Sequence, residues 1–411
     1  MTHRILHTSD WHIGRRLKEH DRTEEFAAFF SWLKDVIIGE KIDTLLVAGD
    51  IFDNTTPSIQ AQDMYYSFLS RLVASPCRHV VIISGNHDSP SFLDAPAGLL
   101  KHCEIHVVGQ ACADPADEVI TLRDSDGQPE VIVCAVPYLR DRDVRTARSD
   151  EDFAEIDRAL TAGITKHYAQ VFEAARAQQG DSDVPIIAMG HMFIRGGILR
   201  QDEGVRSLYV GTVIDIDSNI FPEDIAYTAL GHLHSPQKAG RENIRYSGSP
   251  IPMTFGEAYI KKSVSIVELD GKNFAGVREI PVPVFRVLKQ IRGASLQEIC
   301  GQLERLAGAG QPVWVDVTYT GSSSDTIRED INDYAKSCPN LEVLAVHDER
   351  SASAIETGGG IFKGLTLEEI SPKKMFDYIL DDKKINEDDR KIYMNLYEEI
   401  LHKAETEAAP K

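Results

Sequence analysis

One design recurs along the first part of this chain: an apolar run that stops abruptly at a small group of Gly, Asp, Asn or His. Asp43-Thr44-Leu45-Leu46-Val47-Ala48 stops at Gly49-Asp50, and His79-Val80-Val81-Ile82-Ile83-Ser84 stops at Gly85-Asn86-His87-Asp88. Val184-Pro185-Ile186-Ile187-Ala188-Met189 stops at Gly190-His191, and Ile225-Ala226-Tyr227-Thr228-Ala229-Leu230 stops at Gly231-His232-Leu233-His234. Ahead of them, Ile5-Leu6-His7-Thr8-Ser9 leads into Asp10-Trp11-His12. Short, nearly continuous apolar runs bounded by turn residues read as strands buried on both faces. In α/β sheets, functional groups gather just beyond the carboxyl ends of strands. Glycine there permits tight turns and close backbone approach. The chain is thereby constrained to an α/β fold with five polar clusters at one end of its strands.

The intervening segments agree. Phe26, Phe29, Phe30, Leu33 and Ile37 recur at helical spacing and form one apolar face, read as core. At 411 residues the chain exceeds one ordinary core, so two or three domains are expected. Residues 1–279 form the first. Residues 280–355 begin at Pro281-Val282-Pro283 and read β-α-β-α-β: a strand from Phe285 to Ile291, a helix near Ser295 to Leu306, and a strand from Val313 to Tyr319. A polar helix from about Asp325 to Lys336 and a strand from Leu341 to Val346 follow. That order makes a small α/β domain without a metal-like cluster. Gly358-Gly359-Gly360 marks a joint before a helical pair in residues 361–411. Ser371-Pro372 starts the first of these helices, which carries Met375, Phe376, Ile379 and Leu380. The second carries Ile392, Tyr393, Leu396, Tyr397, Ile400 and Leu401. Such stripes pack on their own domain or on another protein.

No apolar run reaches the roughly 18 residues that span a bilayer, and Met1 to His7 enters a strand-like segment without the features of a signal peptide. A cytoplasmic protein without membrane association is expected. The six cysteines contain no C-x-x-C pair and read as reduced thiols, Cys134 in a buried strand. With 44 Lys and Arg against 64 Asp and Glu, the net charge of −20 argues against coating nucleic acid by bulk electrostatics. A nuclease stays open, because bound cations invert the field of a carboxylate-rich site.

The residue types in the five clusters suit a binuclear centre. Asp and His are ligands for Mn, Fe or Zn, one carboxylate can bridge two ions, and an Asn carbonyl can complete a shell. Two ions about 3.5–4 Å apart activate water and stabilise charge on phosphoryl oxygens. Taken singly, D-x-H or G-H is usually a satisfied polar group at a strand end; all five in order are not. Nothing else in the segments of His7, His79, His102 and His106 looks like a ligand set, and they read as ordinary histidines. The alternative of a non-catalytic scaffold is disfavoured because no cluster is missing.

The order D-x-H, G-D, G-N-H-D, G-H, G-H-x-H resembles the calcineurin-like metallophosphoesterase superfamily. The longer strings Ile5 to Gly14, Val47 to Asp53 and Tyr246-Ser247-Gly248-Ser249-Pro250-Ile251-Pro252 are similar to its SbcD branch of nuclease subunits, over nearly the whole chain. The resemblance implies a β-sandwich flanked by helices, a DNA-facing cap at 280–355 and C-terminal helices that dock on a partner. It implies that Asp10, His12 and His234 hold one metal and Asn86, His191 and His232 the other. Asp50 would bridge them, His87 would assist the leaving group, and Asp88 would orient His87. Manganese is the implied metal, with magnesium as an alternative. Asp53 replaces a histidine of some relatives and is left out of the site. Further implied are a coiled-coil ATPase partner of the SbcC kind and two copies of each subunit. Implied activities are ATP-dependent 3′–5′ exonuclease action on duplex ends and hairpins and single-strand endonuclease action, in recombination, replication and repair. This chain has no G-x-x-x-x-G-K-[ST] segment, so the ATPase must come from elsewhere.

The rival substrates are small phosphodiesters or phosphoproteins. DNA is favoured by the chain's length, by the long interval from Asp88 to His191 with Tyr138 to Arg145 as a substrate-facing insertion, and by the docking-like C-terminal residues. Arg15, Arg16 and Lys18 read as backbone-phosphate contacts or as surface charge.

Overall fold

The computed structural model describes residues 2–145, 152–198, 216–321 and 326–349, together with positions 380, 390 and 393. The described residues up to 290, with 304–316 and 338–345, form one compact unit; 291–303, 317–337 and the described residues from 346 on form a second.

The first unit is built on two six-stranded mixed sheets. Strands β1 (Thr2–Thr8), β2 (Thr44–Ala48), β3 (His79–Ile83) and β4 (Ile105–Val108) run parallel. The antiparallel strands β11 (Ser263–Asp270) and β12 (Asn273–Pro281) extend them to the order β12-β11-β1-β2-β3-β4. The second sheet has β5 (Val119–Arg123), β6 (Pro129–Ala135), β7 (Ile186–His191), β8 (Ile225–Gly231), β9 (Gln237–Lys238) and β10 (Ile244–Tyr246) in the order β5-β6-β7-β8-β10-β9. Its central β6, β7, β8 and β10 are parallel.

The apolar runs are continuous because each strand is buried on both faces. Leu45 and Val47 point to a core beneath the helices Thr23–Gly39 and Ile59–Val73, whereas Leu46 and Ala48 point to a core between the sheets. On the second sheet Ile187 and Met189 enter the inter-sheet core, and Ile186 and Ala188 pack beneath the helix Phe153–Gln179. A helix-sheet-sheet-helix sandwich follows, as expected. Phe26, Phe29, Phe30, Leu33 and Ile37 are all buried, each worth about 1.5–3 kcal/mol relative to exposure.

Strands β13 (Val287–Gly293), β14 (Val313–Tyr319) and β15 (Leu341–Asp348) form a third sheet in that order, with the helices Leu296–Ala307 and Ile327–Lys336 between them in sequence. These elements fall within a few residues of those read from the sequence. The helical stripes expected in 361–411 lie outside the described residues except for Leu380 and Tyr393. No helix among the described residues is long and apolar enough to cross a membrane.

Candidate metal centre

The parallel strands of both sheets deliver the polar clusters to one place. Asp10, His12, Asp50, His191, His232 and His234 are all buried, and Asn86 is half-buried. Asp10, His12, Asp50 and His232 have positive φ, from 47° to 105°, a costly backbone state for residues with a Cβ. Backbone bonds lock the turns together: the Asp10 amide donates to the Gly49 carbonyl at 3.0 Å, and that of His12 to Asp50 at 2.9 Å. Trp11 anchors the first turn. Its indole N–H donates to Thr8 Oγ1, and its ring meets Phe29, Phe30 and Phe68 edge-on. Glycine is required for closeness: a Cβ on Gly85 would lie 2.1 Å from Asp50 Oδ1, and one on Gly231 would lie 1.9 Å from the Ala48 carbonyl oxygen.

The ligand atoms of Asp10, His12 and His234 lie within 4.8 Å of one another, as do those of Asp10, Asp50 and His191. Asp50 Oδ2 is 3.6 Å from His12 Nε2 and 3.3 Å from His191 Nε2, so one carboxylate oxygen faces both sets. Its Oδ1 accepts the His87 amide at 2.9 Å. His191 donates through Nδ1 to the Ala48 carbonyl at 2.9 Å, which turns Nε2 toward Asp50 and toward Asn86 Oδ1 at 3.0 Å. His234 donates through Nδ1 to Glu257 at 2.9 Å, which turns its Nε2 toward His12 Nε2 at 3.2 Å. His232 stands 5.6 Å from His191, ring to ring, and its amide donates to Asp10 Oδ1 at 2.9 Å.

Burial raises Asp10 above the ordinary carboxylate range and pushes His12 and His232 well below the ordinary imidazole value. Burial would also raise Asp50, but the charge and hydrogen bond of His191 override it and hold the carboxyl well down. Burial would lower His191, but Asp50 raises it to about 9. Without metal, a proton on His191 stands where a cation would neutralise Asp50. Buried carboxylates faced by imidazoles, two of them oriented through Nδ1 by outer partners, fit divalent cations of the Mn, Fe or Zn type.

Three expectations change. Asp88 does not orient His87. Its carboxylate accepts the amides of Gly85 at 2.8 Å, Phe52 at 2.9 Å and Ile51 at 3.1 Å, tying the Asp50 turn to the Gly85 turn. Burial and the Asp50 charge raise it to about 6. Instead, His87 Nδ1 donates to the carbonyl of Asp53 at 2.8 Å. Asp53, not expected to take part, also sets its carboxylate 3.6 Å from His12 Nδ1 and 3.1 Å from Arg15. That ion pair engages one of the expected phosphate contacts. The Tyr138 to Arg145 segment is also less open than expected. Tyr138 and Leu139 are buried, and Arg140 reaches the Asp88 carbonyl at 3.5 Å.

Sequence reasoning missed a buried support behind His234. Glu257 accepts from His234, from Lys262 Nζ at 2.7 Å and from the Met253 amide at 3.0 Å; Lys262 donates further to the His234 carbonyl at 2.9 Å and Ser249 Oγ at 2.8 Å. Ser9 Oγ donates to Asp10 and lies 2.9 Å from Ser247 Oγ. The Tyr246 to Pro252 string is therefore scaffold for the ligands, and it was the available signal.

Comparison with known proteins agrees with this geometry. The calcineurin-like phosphoesterase family matches residues 3–236, and the Type 5 capsule protein repressor C-terminal domain matches residues 284–384. The SbcD subunit of nuclease SbcCD from Escherichia coli (strain K12) is 34% identical over 97% of this chain and 98% of its own length. Its namesakes from Rhodobacter capsulatus (37%, covering 75% of this chain and 77% of the relative) and Bacillus subtilis (32%, 85% and 87%) are also similar. A phosphoesterase match over the turns that carry Asp10 to His234, with relatives spanning nearly the full chain, makes this protein a member of the SbcD family of calcineurin-like phosphoesterases.

Proposed function

We propose that the chain hydrolyses phosphodiester bonds of DNA at this centre, as the nuclease component of a cytoplasmic complex with a coiled-coil ATPase of the SbcC kind. Asp10, His12 and His234 hold one divalent cation, Asn86, His191 and His232 hold the other, and Asp50 lies between them. Manganese is the first expected metal and magnesium the second. Bound there, two cations supply Lewis-acid polarisation of the phosphoryl oxygens and an acidified water for attack. The protein's own groups do the rest. Ala48 and Glu257 fix the tautomers of His191 and His234. His87, steadied by the Asp53 carbonyl, presents Nε2 for proton transfer to the leaving oxygen.

The observation that best supports this reading is Asp50 Oδ2 set between the Nε2 atoms of His12 and His191. Residues 1–279 serve as the nuclease domain, 280–355 as a DNA-facing cap and 361–411 as the ATPase-docking helices, in an assembly with two copies of each protein. The expected activities are ATP-dependent 3′–5′ digestion of duplex ends, opening of hairpins and single-strand cleavage.

The test measures metal content and cleavage of hairpin DNA, linear duplex, single strands and a small aryl phosphodiester, with and without ATP and the partner. Asp50→Asn should lose at least one metal and nearly all turnover with the fold retained. An active Asp50→Asn enzyme with two metals per chain refutes the centre. Turnover of the small ester alone, with DNA untouched even beside the ATPase, refutes the DNA assignment.

A further inference from the structure

A second set of ligand-type side chains lies at the other end of the first sheet. β3 begins at His79 and ends at Ile83, ahead of the metal-centre turn, so His79 marks the far end of the strand. Parallel pairing of β3 with β4 sets Val80 opposite Ile105 and Val81 opposite His106, which puts His79 beside Glu104. His79 and His106 lie on neighbouring strands, and Glu104, in the left-handed turn just ahead of β4 (φ 57°), brings its carboxylate to both. The ligand atoms of these three residues lie within 4.8 Å of one another.

Its hydrogen bonding leaves this cluster incomplete. His79 is buried, and its Nε2 donates to the Arg123 carbonyl at 2.8 Å. That bond turns Nδ1 toward Glu104. This atom has no hydrogen-bond partner although it is buried, and the same holds for His106 Nε2. Both point at one oxygen, Glu104 Oε2, at 3.3 Å from His79 Nδ1 and 3.7 Å from His106 Nε2. One carboxylate oxygen thus stands between two imidazole nitrogens, an arrangement that a bound divalent cation would complete. A tetrahedral zinc ion with bonds of about 2.0 Å holds its ligand atoms about 3.3 Å apart, so the spacing suits it. The Arg123 carbonyl is the outer partner that orients a ligating histidine. Glu104 is 59% exposed, at the mouth of a cleft of about 790 Å³ that Arg78, His102 and Cys103 also line. Water can fill the fourth position there, and the ion has an entry path.

We propose that His79, Glu104 and His106 form a metal site separate from the catalytic centre, selective for a zinc-type divalent ion held by two imidazoles and one carboxylate. The test uses the full chain, stripped with chelator, reloaded with Zn²⁺ or with Co²⁺ as a spectroscopic substitute, and counted by elemental mass spectrometry. Glu104→Gln should bind one ion fewer per chain, lose the matching part of the cobalt absorption, and keep its DNA cleavage. His106→Gln should behave alike, which covers the case of one variant folding poorly. In Asp50→Asn the Glu104-dependent ion should remain. If Glu104→Gln and His106→Gln bind as much metal as the parent, the inference is overturned while the catalytic centre stands. If Asp50→Asn keeps all its metal and Glu104→Gln does not, the reading of the catalytic centre fails instead.

Discussion

Replacing Glu257 by Gln separates two jobs that one buried carboxylate performs. One oxygen accepts from His234 at 2.9 Å and the other from Lys262 at 2.7 Å, and no part of Glu257 reaches solvent. Gln retains one acceptor and presents an NH₂ group to the other donor. Losing an outer partner of a ligating histidine lowers metal affinity by about 10–100-fold. Removing one member of a buried ion pair costs about 3–5 kcal/mol. Lys262 keeps the His234 carbonyl and Ser249 Oγ as neutral acceptors, so a loss near the lower end, about 3 kcal/mol, is expected. Glu257→Gln with Lys262→Met removes both charges. Melting in chelator should return toward the parent value in the double variant, while metal affinity stays low because a neutral amide oxygen supports the His234 imidazole less than a carboxylate does. Competitive metal titration and melting curves read the two effects separately. If Glu257→Gln binds metal as tightly as the parent, or if Lys262→Met restores metal affinity along with stability, the support argument is wrong.

His87→Ala should keep the metals and DNA affinity and lower the rate by about 10²-fold or more; metal loss alongside activity would make His87 a ligand. His191, raised to about 9, contributes stability to the metal-free chain that is complete below its ordinary value near 6.5 and lost as pH rises through about 9. Metal loading at pH 7 should therefore release protons, and affinity should strengthen toward pH 9. Calorimetry in buffers of different ionisation enthalpy checks this, and a loading reaction with no proton release refutes it. Deleting residues 361–411 should preserve metal-dependent cleavage of single-stranded DNA and abolish co-purification with the ATPase. Insoluble protein or undiminished ATPase binding would reject the docking assignment.

Much of the centre was legible because its ligands follow strands whose apolar runs are continuous, and such strands end at a common edge. Asp10, Asp50, His191 and His234 could be named from that pattern. What could not be read was the set of partners chosen by folding. Asp88 sits beside His87 in sequence, yet the turn spends its carboxylate on three amides, and the distant Asp53 supplies the carbonyl. Glu257 reads as a surface residue until Lys262 and His234 are seen to surround it. His79 looked ordinary because Glu104 and His106 reach it only through the pairing of β3 with β4.

The two sheets contribute unequal parts of one centre, and that division links metal binding to the fold. Asp10, His12, Asp50 and Asn86 come from turns after β1, β2 and β3, whereas His191, His232 and His234 come from β7 and the turn after β8. Between the sheets lies a largely apolar layer, with Leu46, Ala48 and Ile83 on one side and Ile187, Met189 and Ala229 on the other, crossed by a buried hydrogen bond between His7 Nδ1 and the Tyr227 hydroxyl at 2.9 Å. The apolar contacts fix the separation of the sheets but give little direction to their carboxyl ends. The direct ties there are polar and include the His191 ring on the Ala48 carbonyl and on Asn86, the His232 amide on Asp10 and the Asp50–His191 pair. Cations bound by the proposed ligands of both sheets would add to these ties, so their binding free energy would also be free energy of holding the sandwich closed at that edge. The positive-φ strain at Asp10, His12, Asp50 and His232 is located at the same edge. A fold that stores strain where its ligands converge gains rigid placement of charge, which is what stabilising a phosphoryl transition state requires.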